Sequence, residues 1–96
     1  MIYHITTLAD WESRPIQGDF YSKDFDREKF IHCSTHAQLA GVLDRYFKNQ
    51  TNLVLIHLDE KQLRAELRYE PATNNEMFPH LYGGINPEAV IKVEKL

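Results

Sequence analysis

Hydrophobic and polar positions divide the chain into alternating runs, one amphipathic helix and several polar breaks. Ile2 to Thr6 is rich in β-branched and aromatic residues and predicts a first strand. Alternation puts Ile2, His4 and Thr6 on one face and Tyr3 and Ile5 on the other. Thr7, with Asp10 three residues on, predicts the cap of a short helix whose buried side carries Trp11, limited by Pro15 and Gly18. Asp19 to Ser22 reads as a short extended piece and Lys23 to Lys29 as a charged, solvated loop. Phe30 to Cys33 predicts a central strand running to Ser34, with Phe30, His32 and Ser34 on one face and Ile31 and Cys33 on the other.

Thr35 and Gln38 form a capping box. Behind it Leu39, Val42, Leu43, Tyr46 and Phe47 recur with helical spacing and make one apolar stripe. Asn49 to Asn52 is a polar break, and Leu53 to Leu58 is the near-continuous apolar run of a strand covered on both faces. Asp59 to Leu63 predicts a single turn. Glu66 to Glu70 predicts a strand with Leu67 and Tyr69 inward, and Pro71 to Glu76 a polar loop. Phe78 to Gly84 reads as an aromatic-rich turn region, and Ala89 to Leu96 as a last strand. Without repeats or an interdomain linker, residues 1–96 form a single compact α+β domain.

Composition narrows the function classes. With 43% hydrophobic and 26% charged residues the chain is an ordinary globular protein. A net charge of −3 argues against strong nucleic-acid binding. No apolar run reaches the ~20 residues that span a bilayer, so no membrane association is expected. The N-terminus lacks the pattern of a signal peptide, and one cysteine forms no internal disulfide, so the cytoplasm is the expected compartment. The expected assembly is a monomer or weak dimer.

The candidate chemistry lies on strand ends. His4 and Thr6 share a face, and so do His32 and Ser34, the latter pair beside a helix start whose N–H groups suit an anion. Buried histidines satisfied by carbonyls are the plain alternative, and one of Ser34 and Thr35 caps the helix. Glu70 closes a strand beside Arg68, where it can hold a ribose hydroxyl or simply pair with the arginine. His80 and Tyr82 lie in the Pro/Gly-punctuated region, where a histidine can act as acid, base or phosphate donor. Cys33 alternates away from His32 and reads as core rather than nucleophile. His36 and His57 are weaker candidates. No metal site is assigned, because His32 and His36 fall on different elements, although His4, His32 and His80 could in principle converge.

Four segments together resemble the small bacterial domain-of-unknown-function family 952: Ile2-Tyr3-His4-Ile5-Thr6, Phe30-Ile31-His32-Cys33-Ser34, Tyr69-Glu70 and Phe78-Pro79-His80-Leu81-Tyr82-Gly83. The first two are also similar to strands of the ADP-ribosyltransferase-like proteins, namely the Tyr-His-Gly-Thr strand of diphtheria-toxin-type enzymes and the Val-His-Leu-Ser segment of tRNA 2'-phosphotransferases. That resemblance implies split antiparallel sheets with two main helices. It implies a cleft for NAD or a related nucleotide, with His4, Thr6, His32, Ser34 and Tyr82 binding ligand and Glu70 and His80 as catalytic candidates. Ile5 stands where those enzymes carry the glycine that nicotinamide lies against, and no arginine matches the phosphotransferase set. Two functions follow as expectations: an enzyme related to ADP-ribosyl transfer, or a non-catalytic module binding a small anionic ligand or a protein partner.

Overall fold

The computed structural model describes all residues Met1–Leu96. Two three-stranded antiparallel sheets share one core. The first holds β1 (Ile2–Thr7), β3 (Leu53–Leu58) and β6 (Val90–Lys95), with β3 in the middle. The second holds β2 (Ile31–His32), β5 (Met77–Tyr82) and β4 (Glu66–Pro71), with β5 in the middle. Three helices complete the chain: α1 (Leu8–Glu12), α2 (Phe25–Glu28) and α3 (Leu39–Tyr46).

The apolar run of β3 explains its place. Val54, Ile56 and Leu58 face the main core with Ile2, Ile31, Cys33 and Leu81. Leu53 and Leu55 face the other way and, with Tyr3 and Ile5, receive Leu39, Val42, Leu43 and Phe47 of α3. Tyr46 departs from the predicted stripe: it stays about half exposed, its hydroxyl bonded to Thr73. The predicted caps form. Thr7 accepts from the Asp10 N–H at 3.1 Å, and the Thr35 N–H donates to Gln38 Oε1 at 2.9 Å. Phe20 pairs with Ile85, giving the short extended piece expected at Asp19 to Ser22.

Four expectations need correction. The charged segment 23–29 is not all loop; it folds into α2 and ends at Lys29 in a left-handed conformation with φ 70°. Phe30 to Cys33 is not a central strand: β2 is a two-residue edge strand. Phe78 to Tyr82 is not a turn but the middle strand of the second sheet. A proline normally keeps a segment out of such a position because it cannot donate to the ladder. Here Pro79 accepts from the Cys33 N–H at 3.0 Å. Its missing donor faces the point where the chain leaves the second sheet. The next residue, Ser34, pairs with Tyr3 of β1 instead. Finally, Tyr69 is 44% exposed rather than inward, and its hydroxyl donates to Glu60 at 3.0 Å.

Candidate ligand-binding cleft

The Tyr3–Ser34 pair is where the two sheets meet. The N–H of each donates to the carbonyl of the other at 2.8 Å. Beyond it the sheets diverge, because Thr35 turns into its cap. In an antiparallel strand, N–H and C=O groups point to alternate sides at successive residues. Tyr3 points at Ser34, so Ile5, two residues on, points into the gap with no strand opposite. The gap is a cleft of about 600 Å³ whose walls include His4, Thr6, His32, Ser34, Val42 and Phe78.

His4 is fixed on this wall. Its Nδ1 lies 2.6 Å from the His32 carbonyl oxygen. A carbonyl only accepts, so Nδ1 carries the hydrogen and Nε2 bears a lone pair. That Nε2 is buried and has no partner. Burial pushes the ring's pKa down to about 4, outweighing the favourable bond to His32, so the imidazole is neutral at pH 7. Thr6 and Ser34 are buried beside it. His32 is largely exposed; partial desolvation of its ring by its neighbours lowers its pKa, opposed by Glu28 with its Oε1 at 3.7 Å. Lys23 and Arg27 add cationic groups to the cleft, each already near a carboxylate: Lys23 at 3.9 Å from Asp10, Arg27 at 3.5 Å from Asp24.

Glu70, His80 and Tyr82 do come together, but not on the cleft's lining. Glu70 Oε1 accepts from the Tyr82 hydroxyl at 2.5 Å and from His80 Nδ1 at 2.9 Å. The Tyr82 and then the His80 hydrogen bonds hold the Glu70 carboxyl below its ordinary pKa, and the same contact raises the Tyr82 phenol. Phe30 stacks on the His80 ring with centroids 4.0 Å apart, and His80 Nε2 is buried without a partner. Two neighbours of His80 do reach the cleft: Phe78 on its own strand, and His32, opposite in the register, with ring centroids 5.5 Å apart. The network thus stands one residue behind the cleft wall. Arg68 pairs with Glu66 at 2.9 Å and lies over the Tyr82 ring, not on Glu70.

The remaining candidates sort plainly. Cys33 is core, its thiol pushed up to about 12 by burial. His57 is partly exposed and sits 3.0 Å from Glu94; His36 is exposed against the edge of Tyr3. No three His, Cys, Asp or Glu side chains cluster so as to hold a metal ion. At the helix start beside Ser34 the capping glutamine is fixed from both ends: Gln38 Oε1 accepts from the Thr35 N–H, and its Nε2 donates to Glu76 and to the Met77 carbonyl. Sequence reading missed three parts of the site: the outward backbone of Ile5, the Phe78 wall, and Phe30 as the cover of His80. All three depend on which strands pair, and only the aromatic spacing of Phe30, His32, Phe78 and His80 hinted at them.

The family model for a protein of unknown function, DUF952, matches residues 5–93. The chain is also similar to the crystal structure of protein CC0527 from Caulobacter crescentus, at 31% identity and a TM-score of 0.86, covering 96% of this chain and 82% of that one. A double methionine variant of the same protein matches at 30% identity, with a TM-score of 0.85 over the same shares of the two chains. No curated protein matches.

Proposed function

Since the chain belongs to the DUF952 family, whose function is unknown, we propose from its own geometry that the cleft binds a nucleotide-like ligand of the ADP-ribose type, NAD among the candidates. The observation that carries this reading is His4: a neutral, immobilised imidazole with a buried, unpartnered Nε2 on a cleft wall. Buried polar atoms without partners are rare and cost about 1–3 kcal/mol. A sugar hydroxyl donating to Nε2 would remove that cost, with a small shift of the side chains that now close the atom off from solvent. Thr6 and Ser34 supply hydroxyls beside it, and the free N–H and C=O of Ile5 suit an amide. Lys23 and Arg27 are the cations a phosphate would meet, in competition with Asp10, Asp24 and Glu28 of the same lining. The volume lies within the ~300–1,000 Å³ of small-molecule sites. Ile5, which stands in place of glycine, packs its side chain with Tyr3, Leu53 and Leu55 under α3, away from the His4 face of the strand, although the residue also lines the cleft. The similarity of Tyr3-His4-Ile5-Thr6 to the ribose-holding strand of ADP-ribosyltransferases supports the same choice.

One observation favours binding without turnover over ADP-ribosyl transfer. Glu70, the candidate catalytic carboxylate, is bonded to His80 and Tyr82 off the cleft lining. Calorimetric titration with ADP-ribose, NAD and AMP tests the proposal. Binding of at least one is expected, weakened at least about tenfold, or ~1.4 kcal/mol, in a folded His4→Leu variant. No binding of any at millimolar ligand overturns it. Incubation with NAD, followed by chromatography, separates binding from turnover: nicotinamide release abolished in Glu70→Gln would restore the enzyme reading.

A further inference from the structure

We propose that β6 is a dimerisation strand: two copies join edge to edge through an antiparallel β6–β6 pair centred on Val93, making one continuous six-stranded sheet from the two first sheets. The strand is the outer member of its sheet, and its second edge has no partner. An unpaired edge is a template for another strand, and proteins that must stay apart blunt it with prolines, bulges or unmatched charges. From Ile91 to Lys95 this edge has no proline; its one register irregularity leaves Ile91 as the extra residue, since Val90 pairs with Leu58 and Lys92 with His57, and the ladder is regular from Lys92 onward. It displays Ile91 at 54% and Val93 at 39% exposure.

The backbone sets which residues face the edge. The Leu96 N–H donates to the Leu53 carbonyl at 3.0 Å, and the register pairs Glu94 with Leu55 and Lys92 with His57. Residues 92, 94 and 96 therefore point their N–H and C=O groups at β3. By alternation Val93 and Lys95 point theirs outward, while Ile91 sits in the bulge, outside that alternation. A two-fold axis through Val93 lets Val93 exchange both bonds with its copy and sets Lys95 opposite the bulged Ile91 of the other copy.

The charges select the same register. With the axis at Val93, Lys92 lies opposite Glu94 of the other copy, twice, at the closely spaced non-hydrogen-bonded positions where side chains meet best. Moving the axis one residue either way sets Lys92 against Lys92 or Glu94 against Glu94. Glu94 is already held on that face by His57, 3.0 Å from its Oε1. On the opposite face Val93 meets its copy, beside a groove formed by Trp11, Phe20, Pro87 and Val90. Lys95 falls opposite Ile91, its stem along the apolar side chain and its ammonium in water. One pair of short strands covers less surface than the ~1,200 Å² of standard stable interfaces, so the dimer is expected to be weak and concentration-dependent.

Sedimentation equilibrium at low salt, from micromolar to roughly millimolar protein, tests this. The wild type should pass from monomer to dimer. Lys92→Glu and Glu94→Lys should each weaken association at least about tenfold, and the double exchange Lys92→Glu/Glu94→Lys should restore it. Val93→Pro should abolish it while circular dichroism stays native, because the lost N–H points outward and serves no bond within the chain. A monomer throughout the range overturns the proposal. So does a dimer indifferent to the single charge reversals, or one that the double exchange fails to restore.

Discussion

Burying His4 as a neutral ring makes the protein's stability depend on pH in a window set by that one group. The perturbation is acidification from pH 7 to pH 5. The folded-state pKa of His4 is about 4, against the ordinary histidine value of 6.5 in the unfolded chain. The unfolded state therefore takes up the proton first as pH falls, and stability drops as it does so. His4 contributes nothing to the slope above pH 6.5, and the loss ends once pH passes below the folded value. At ~1.4 kcal/mol per unit, the roughly 1.5 units between 6.5 and 5 remove about 2 kcal/mol. His32, also lowered but largely exposed, acts in the same direction and less strongly. Carboxylates titrate mainly below this window. The assay is urea unfolding followed by the fluorescence of Trp11, the one tryptophan, which is buried. For a domain of this size, with a slope of about 1 kcal/mol per molar, the midpoint should fall by 1–2 M between pH 7 and pH 5. His4→Leu should be less stable at pH 7 but lose less than half as much on acidification. Parallel pH profiles for the two proteins, or a His4 ring titrating near 6.5 by NMR, would refute the reasoning.

Cys33 should not react with Ellman's reagent at pH 8 in the folded protein and should react at once in urea, since its thiol is buried with a pKa of about 12; fast labelling of the native state would contradict its place in the core. Gly84→Ala should cost about 1–3 kcal/mol, because an added Cβ would stand 2.6 Å from the Asp19 Cβ and 2.8 Å from the Tyr21 ring. A urea midpoint unchanged from the wild type would show that this contact relaxes freely.

The first sheet was legible in the sequence because its signals are local and strong. The run Leu53 to Leu58 marked the covered middle strand, and the Thr7 and Thr35 caps marked both anticipated helices. The second sheet was not. Pro79 and the glycines after Tyr82 looked like turn chemistry, and nothing local reveals that Pro79 stands where a missing donor does no harm. α2 was hidden for a related reason: with Phe25 its only apolar residue, it shows no periodicity, and it is held by its neighbours. The facing of His4 with Thr6 and of His32 with Ser34 followed from period-two alternation, and all four line the cleft. The grouping of Glu70 with His80 and Tyr82 needed the register of β4 on β5, which chain order does not contain.

The join between the sheets has a mechanical consequence. Tyr3 and Ser34 form one reciprocal bonded ring, and the ladders on either side of it belong to separate sheets. That ring is a fulcrum. A spreading of the cleft that kept both ladders whole would have to turn about that ring, and it would stretch the one side-chain bond that crosses the same gap, from His4 to the His32 carbonyl.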